Sequence, residues 1–204
     1  EAYHWVEAHA RPYTENAGQQ DRAPVSFRLV DREVEAEVAL EPRARNDELT
    51  GLLNRKELFD RLERVNSERR VGGNCLAVLF CDIDDFKAVN DRSGHASGDA
   101  LLRTVAERIR ACVRRADLVG RFGGDEIVVV LDSVHDVDES VEVADKIRQA
   151  VALPIELPHG PQRVTMSIGC TLFSHDEDAD AAIARADRAM YLAKEAGRDR
   201  VVSL

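Results

Sequence analysis

The sequence predicts an α/β (α+β) domain in which helices cover a central sheet. The run Cys75–Cys81 (CLAVLFC) is apolar almost throughout, as a strand buried on both faces must be. Stretches with apolar residues at helical spacing flank it, at 52–65, 98–114, 137–151 and 179–196. Gly123-Gly124 supplies a tight turn between two β-prone segments, 118–122 and 126–131. Strands separated by helical runs, with one hairpin inserted, give a sheet wrapped by helices.

Residues 3–13 (YHWVEAHARPY) and 24–30 (PVSFRLV) are β-prone and partly alternating, and the polar stretch 14–22 between them contains Gly18, so they read as a hairpin. A lone hairpin is marginal in water, which makes this the edge of a larger sheet. Residues 31–46 read as a linker. Asp31 is a candidate N-cap and Val34 and Val38 lie one turn apart, whereas Pro42 would end or kink a helix; a connecting helix and a solvated linker both fit. The pattern changes at Asp47. A helix over 52–65 is followed by the buried strand, a short helix from Phe86 to Asn90, a Gly94–Gly98 loop and a long helix from Gly98 to Arg114. The hairpin, a helix over 137–151, a β-segment Arg163–Leu172, a helix over 179–196 and a closing strand at Val201-Val202 complete the series.

The totals exclude several classes of function. A formal net charge of −10 is wrong for a general nucleic-acid binder, which needs clustered Lys and Arg. The 4 cysteines (Cys75, Cys81, Cys112, Cys170) show no C-x-x-C spacing and sit among apolar residues, as buried thiols of a reducing cytoplasm do. No apolar run approaches the ~20 residues that span a bilayer, and no signal peptide is present. The chain starts at Glu1, as expected of a segment of a longer protein.

The chemistry gathers at the ends of strands. The buried strand runs into Asp82-Ile83-Asp84-Asp85-Phe86-Lys87, and the hairpin tip reads Arg121-Phe122-Gly123-Gly124-Asp125-Glu126-Ile127. If the two strands are neighbours, Asp82 and Asp125 converge, and two carboxylates that close repel unless a cation lies between them; oxygen ligands of this kind suit Mg²⁺. Alone, Gly-Gly-Asp-Glu is also an ordinary polar β-turn.

Several motifs together are more specific. Asp47-Glu48-Leu49-Thr50-Gly51-Leu52-Leu53-Asn54-Arg55 resembles the D-x-L-T-G-L-x-N-R opening of the GGDEF family of diguanylate cyclases. Asp82 to Asp91 is similar to its D-x-D-x-F-K-x-x-N-D segment, and Gly94-His95-Ala96-Ser97-Gly98-Asp99 to its G-H-x-x-G-D. Gly123 to Ile127 stands at the signature itself, with Ile127 for the usual Phe, which keeps hydrophobicity and loses volume. Ala186-Asp187, Tyr191, Ala193-Lys194 and Gly197-Arg198 resemble the closing segment. The match covers 47–204, in the family's order. The segment 1–30 resembles the end of a PAS sensory domain.

The resemblance implies a fold like the palm of polymerases and adenylyl cyclases, and a reaction joining two GTP into cyclic di-GMP and two pyrophosphates across a homodimer. It implies Mg²⁺ (Mn²⁺ being possible) on Asp82, Asp125, Glu126 and the Ile83 carbonyl; guanine at Asn90 and Asp99, with Phe86 beside them; phosphates near Gly123, Gly124, Lys194 and Arg198; Lys87 at the transition state; and Asp125 as the proton acceptor. A carboxylate at Asp99 suits the paired N–H donors of guanine, though Asp99 is also placed to cap a helix. Lys194 and Arg198 lie one turn apart if their helix continues, where they would equally complement its dipole. Arg114-Arg115-Ala116-Asp117 resembles the R-x-x-D product-inhibition site, with Arg114 and Asp117 as its members and Lys146 or Arg148 as candidate partner cations; helix-terminal arginines are the alternative. A catalytically silent module that binds GTP or cyclic di-GMP as a regulator is the alternative function.

Overall fold

The computed structural model describes residues 6–10, 25–29, 45–68, 75–157, 160–174 and 177–204. The chain forms two units, Glu1–Ala44 and Arg45–Leu204. In the first, strand β1 (Val6–Ala10) pairs antiparallel with β2 (Val25–Leu29), Val6 opposite Leu29. The linker expected over 31–46 lies, up to residue 44, outside the described residues, as does much of the segment read as the end of a sensory domain.

The second unit is built on strands β3 (Leu53–Asn54), β4 (Cys75–Ile83), β5 (Leu118–Gly123), β6 (Glu126–Val134), β9 (Met166–Leu172) and β10 (Val201–Ser203). They form one sheet in the order β10-β9-β4-β6-β5-β3. The outer pairs β10–β9 and β3–β5 are parallel and the inner ones antiparallel, so the central sheet covered by helices is a mixed one. A separate small hairpin, β7 (Ile155–Leu157) with β8 (Gly160–Gln162), follows the fourth helix.

Helices cover both faces, and β4 shows why it had to be apolar throughout. Its Ala77, Leu79, Cys81 and Ile83 enter one core, while Leu76, Val78 and Phe80 enter the other. The first core is closed by α2 (Phe86–Ser93), α3 (His95–Cys112) and α4 (Val137–Val151); the second by α1 (Arg55–Glu68) and α5 (Ala179–Glu195). β6 repeats the alternation, with Ile127, Val129 and Leu131 on one side and Val128 and Val130 on the other. Each Val, Leu or Ile withdrawn fully from water stabilises the fold by roughly 1.5–3 kcal/mol before entropy.

The structure corrects some boundaries. The strand ends at Ile83, so Asp82 belongs to it. The helix read from residue 52 starts at Arg55, after a two-residue strand. The Gly94–Gly98 segment is no loop, because α3 already starts at His95. Asp99 therefore lies inside the helix and cannot cap it. Finally, α5 stops at Glu195 and does not continue to Arg198, which has a left-handed φ of 61° beyond the turn at Gly197.

Candidate functional site

The register of the two central strands builds the site. β4 and β6 pair so that Asp82 stands opposite Glu126. Asp125 is the residue before, in the turn that Gly124 makes with a φ of 51°, a conformation that disfavours a side chain. Three carboxylates thus share the rim of the sheet. The helix Ala179–Glu195 supplies their counter-ion: Lys194 Nζ lies 2.7 Å from Asp82 Oδ1. This helix packs closely because its inner face is small, with Ala182, Ala186, Ala189 and Ala193 buried, and the Asp178 carboxylate caps it by accepting the Ala181 N–H at 2.8 Å.

The electrostatics follow from that arrangement. Burial pushes the Asp82 carboxyl above the ordinary carboxylate range; the Lys194 hydrogen bond opposes this and Asp125 adds to it. Burial likewise raises Asp125, against its backbone hydrogen bond, Lys194 and Arg121. Glu126 is raised by burial, then by repulsion from Asp82, Asp125 and Asp187, with Lys194 opposing. The rim holds more negative charge than its ammonium neutralises. Among the described residues no three His, Cys, Asp or Glu side chains are arranged as a metal cluster; the Asp82 carboxylate faces Lys194 instead.

A second group lies beside the rim. A Cβ on Gly98 would fall on the Asn90 amide oxygen and reach 3.3 Å from Phe86 Cζ. The bare backbone of α3 thus lets the Asn90 side chain lie against it, with half-buried Asp99 one residue further on. Phe86 and Asn90 thus both lie against Gly98, the residue before Asp99. Lys87 is exposed in the first turn of α2. Arg198 is loosely paired with Asp85, at 3.8 Å.

The segment 47–55 holds the turn from outside. Arg121 donates to both Asp47 oxygens at 3.1 Å and, through Nε and Nη2, to the Gly124 carbonyl at 2.9 and 2.7 Å. Burial raises the Asp47 carboxyl, but the hydroxyl and N–H of Thr50 and the Arg121 guanidinium outweigh it and hold the group below the usual range. Ile127, in place of Phe, is fully buried beneath the hairpin.

Sequence reasoning gave no role to Asp84, which is 5% exposed. It accepts the hydroxyls of Thr165 and Ser167 at 2.6 and 2.7 Å and the Asp199 N–H at 3.1 Å. It ties β4 to β9 and to the loop carrying Arg198. Those partners lie 81 to 115 residues away, so no local pattern could reveal them. Asp187 is also part of the field at Glu126; its only signal was membership of the closing motif.

Arg114 and Asp117 stand at the opposite end of β5, about 20 Å from the turn at 3.3 Å per residue. Asp117 is buried and its two oxygens accept the Arg114 N–H at 2.7 Å and the Asp132 N–H at 3.0 Å. The Arg114 guanidinium is exposed, 3.5 Å from Glu139. Of the candidate partner cations, Lys146 donates to the Cys112 carbonyl at 3.0 Å, and Arg148 bridges Asp145 and Asp199 at 2.8 and 2.7 Å. A cavity of about 590 Å³ borders this turn, lined by Thr50, Arg61, Arg110, Arg115 and Asp117 among others; it does not include the acidic rim.

The chain is similar to known proteins. The family model "Diguanylate cyclase, GGDEF domain" matches residues 44–200. The chain is 40% identical over 160 residues to the diguanylate cyclase DgcP of Pseudomonas aeruginosa, which covers 78% of this chain and 24% of DgcP; the chain thus spans about a quarter of that relative's length. The solved GGDEF domain of TpbB from P. aeruginosa matches with a TM-score of 0.74 and 39% identity over 78% of this chain and 93% of its own. The coiled coil and GGDEF domain of DgcB from Caulobacter crescentus, solved in complex with cyclic di-GMP, matches with a TM-score of 0.80 and 29% identity over 86% of this chain and 93% of its own. With the family model spanning most of its length and the acids of its signature on one strand rim, the chain belongs to the GGDEF-domain family of diguanylate cyclases.

Proposed function

We propose that this domain condenses two GTP into cyclic di-GMP and two pyrophosphates, each domain of a homodimer holding one GTP. The observation that carries this reading is the juxtaposition of Asp82 and Glu126 across β4 and β6, with Asp125 in the adjoining turn and Lys194 as counter-ion. The ribose 3′-hydroxyl of one nucleotide attacks the α-phosphorus of the other and pyrophosphate leaves. Asn90 and Asp99 orient the guanine, and Asp99 selects it by accepting its paired N–H donors. Gly123 and Gly124 let the backbone approach the phosphates, and Lys87 and Arg198 bring positive charge to them. Lys194 neutralises Asp82 in the free domain, and with a cation held there instead it would be free to meet a phosphate. Asp125 is the proton acceptor.

The donors fit Mg²⁺. They are all oxygens, from Asp82, Asp125, Glu126 and the Ile83 carbonyl, and they carry excess negative charge. Bound there, Mg²⁺ would neutralise phosphate charge and lower the pKa of the attacking hydroxyl. Meeting of the two nucleotides is a matter of proximity and orientation, which an upstream PAS-like domain and the linker would control. Among the described residues no helix is long and apolar enough to cross a membrane.

The test is turnover of GTP and Mg²⁺ at several protein concentrations with chromatography of the product. Cyclic di-GMP formed with a more than linear dependence on protein is the expected result. Binding of GTP or cyclic di-GMP without pyrophosphate release would make the domain a regulatory module instead.

Product inhibition through Arg114 and Asp117 is part of the proposal. Arg114 is the exposed member and suits bidentate phosphate contact, whereas Asp117 already serves two backbone N–H groups. Arg114→Ala is expected to shift the inhibition curve for added cyclic di-GMP by tenfold or more, with the uninhibited rate unchanged. An unshifted curve would leave Arg114 as a surface partner of Glu139.

A further inference from the structure

We infer that Arg55 is a positioning residue for the Gly123–Glu126 turn, acting through the ring of Phe122. The inference rests on the reading of that turn as the phosphate- and metal-binding edge of the site.

The ladder between β5 and β6 slips immediately before the turn. Arg121 pairs with Ile127 and Gly123 with Glu126, leaving Phe122 as the extra residue of a β-bulge. A bulge residue has no partner across the ladder to fix its direction, and bulges beside functional sites re-aim the chain. The pose of Phe122, and with it the start of the turn, must therefore come from packing. Three groups supply it. Phe80, on β4 two residues before Asp82, meets the ring edge-on with centroids 5.4 Å apart. Phe59, on the helix Arg55–Glu68, packs at 5.9 Å with a 36° tilt. The Arg55 guanidinium closes the remaining face, its Cζ 4.2 Å from the Phe122 centroid and 5.9 Å from that of Phe59.

Arg55 is an odd choice for its own helix. It is the first helical residue, where the macrodipole disfavours a cation. It is exposed and, among the described residues, forms no ion pair with a carboxylate. Its guanidinium lies over the two rings, and a guanidinium over an aromatic face is attracted by the ring quadrupole and stacks flat, which a flexible apolar chain does not do. The clamp ties the turn to the same strand that carries Asp82. Phe80 fixes Phe122 from the β4 side and Arg55 fixes it from outside, so the Gly123–Glu126 backbone is held relative to Asp82. Arg121, one residue earlier, holds the far side of the turn through the Gly124 carbonyl. Both residues that precede Gly123 are thus gripped by side chains of the segment 47–55.

The test compares Arg55→Met, which keeps length and apolar stem without charge or plane, with Arg55→Lys, which keeps the cation. Arg55→Met is expected to lower kcat about tenfold, as a small misplacement of reacting groups does, with KM for GTP within about twofold and an unchanged melting temperature. Arg55→Lys is expected to recover to within about threefold of the parent. In a Phe122→Leu background, Arg55→Met should have no further effect on kcat, because its route of action is gone. Amide hydrogen exchange supplies a readout that needs no turnover: Arg55→Met should speed exchange at 123–126 while the rest of the hairpin keeps its protection. Parental kcat and exchange in Arg55→Met would overturn the inference, and so would an equal further loss in the Phe122→Leu background. A parent chain without turnover would count against the cyclase reading alone, and the exchange data would then decide the role of Arg55.

Discussion

Asp125→Asn is expected to abolish cyclic di-GMP formation, by a thousandfold or more, and yet to melt at a higher temperature than the parent at neutral pH without divalent metal. Both effects come from the same charge. Asp125 stands in the turn beside Asp82 and Glu126, and its carboxyl is raised by burial against the pull of Lys194 and Arg121. An acid whose folded pKa lies above its unfolded value weakens the fold when ionised. That penalty is absent below the ordinary value of 3.8, grows as pH rises through the folded pKa and is complete above it. The amide lacks it, so the variant's advantage should be present at pH 7 and narrow towards pH 4. Lys194 keeps Asp82 as its partner, so no charge is orphaned. Magnesium should reverse the order by stabilising the parent and not the variant. Melting curves across pH, with and without Mg²⁺, read the stability effect, and pyrophosphate release reads the chemistry. Parental turnover in Asp125→Asn would remove this carboxylate from the reaction.

What the sequence shows of such a site depends on the distance over which residues cooperate. The buried strand was legible from Cys75 to Cys81, though not to its end at Ile83, because burial on both faces leaves no polar alternative at Leu76 to Cys81. The hairpin was legible because Gly123-Gly124 marks a turn. The adjacency of β4 and β6 then made Asp82 and Glu126 neighbours, a step that the pattern could state only as a condition. Gly98 misled, since two glycines four residues apart, Gly94 and Gly98, read as the bounds of a loop. Here it lies in the first turn of a helix, where the lack of a side chain makes room for Asn90. The strand Leu53–Asn54 was hidden inside a helix-like run because two residues have no period. Ile127, smaller than the usual Phe, is buried in the core, while the ring before the glycines, Phe122, packs on Phe80, with Arg121 on the Gly124 carbonyl. The partners of Asp84 belong to β9 and the C-terminal loop, and only the folded sheet brings them together.

Asp84→Ala should therefore be the most damaging change away from the reacting groups. The carboxylate is almost fully enclosed, and its removal leaves the hydroxyls of Thr165 and Ser167 and the Asp199 N–H without their acceptor. Hydrogen bonds to a charged group contribute about 1.5–3 kcal/mol each, though losses within one network do not add. Relief of the repulsion between Asp84 and Asp82 returns a part of this. A net loss of about 2–4 kcal/mol is expected, which lowers Tm by roughly 5–15 °C in a domain of this size. The functional effect has a separate route. Asp199 joins Asp84 through its N–H and Arg148 through its carboxylate, so the turn carrying Arg198 is held from both sides. With one side gone, KM for GTP should rise severalfold even at temperatures where the variant is folded. Asp84→Asn, which keeps one oxygen acceptor and the shape, should fall between the two in both readings. Melting by circular dichroism together with steady-state kinetics at low temperature separates the effects. A variant that melts within about 2 °C of the parent would mean that water replaces the carboxylate, and the tie between β4, β9 and the Arg198 loop would have to be sought in the strand pairing itself.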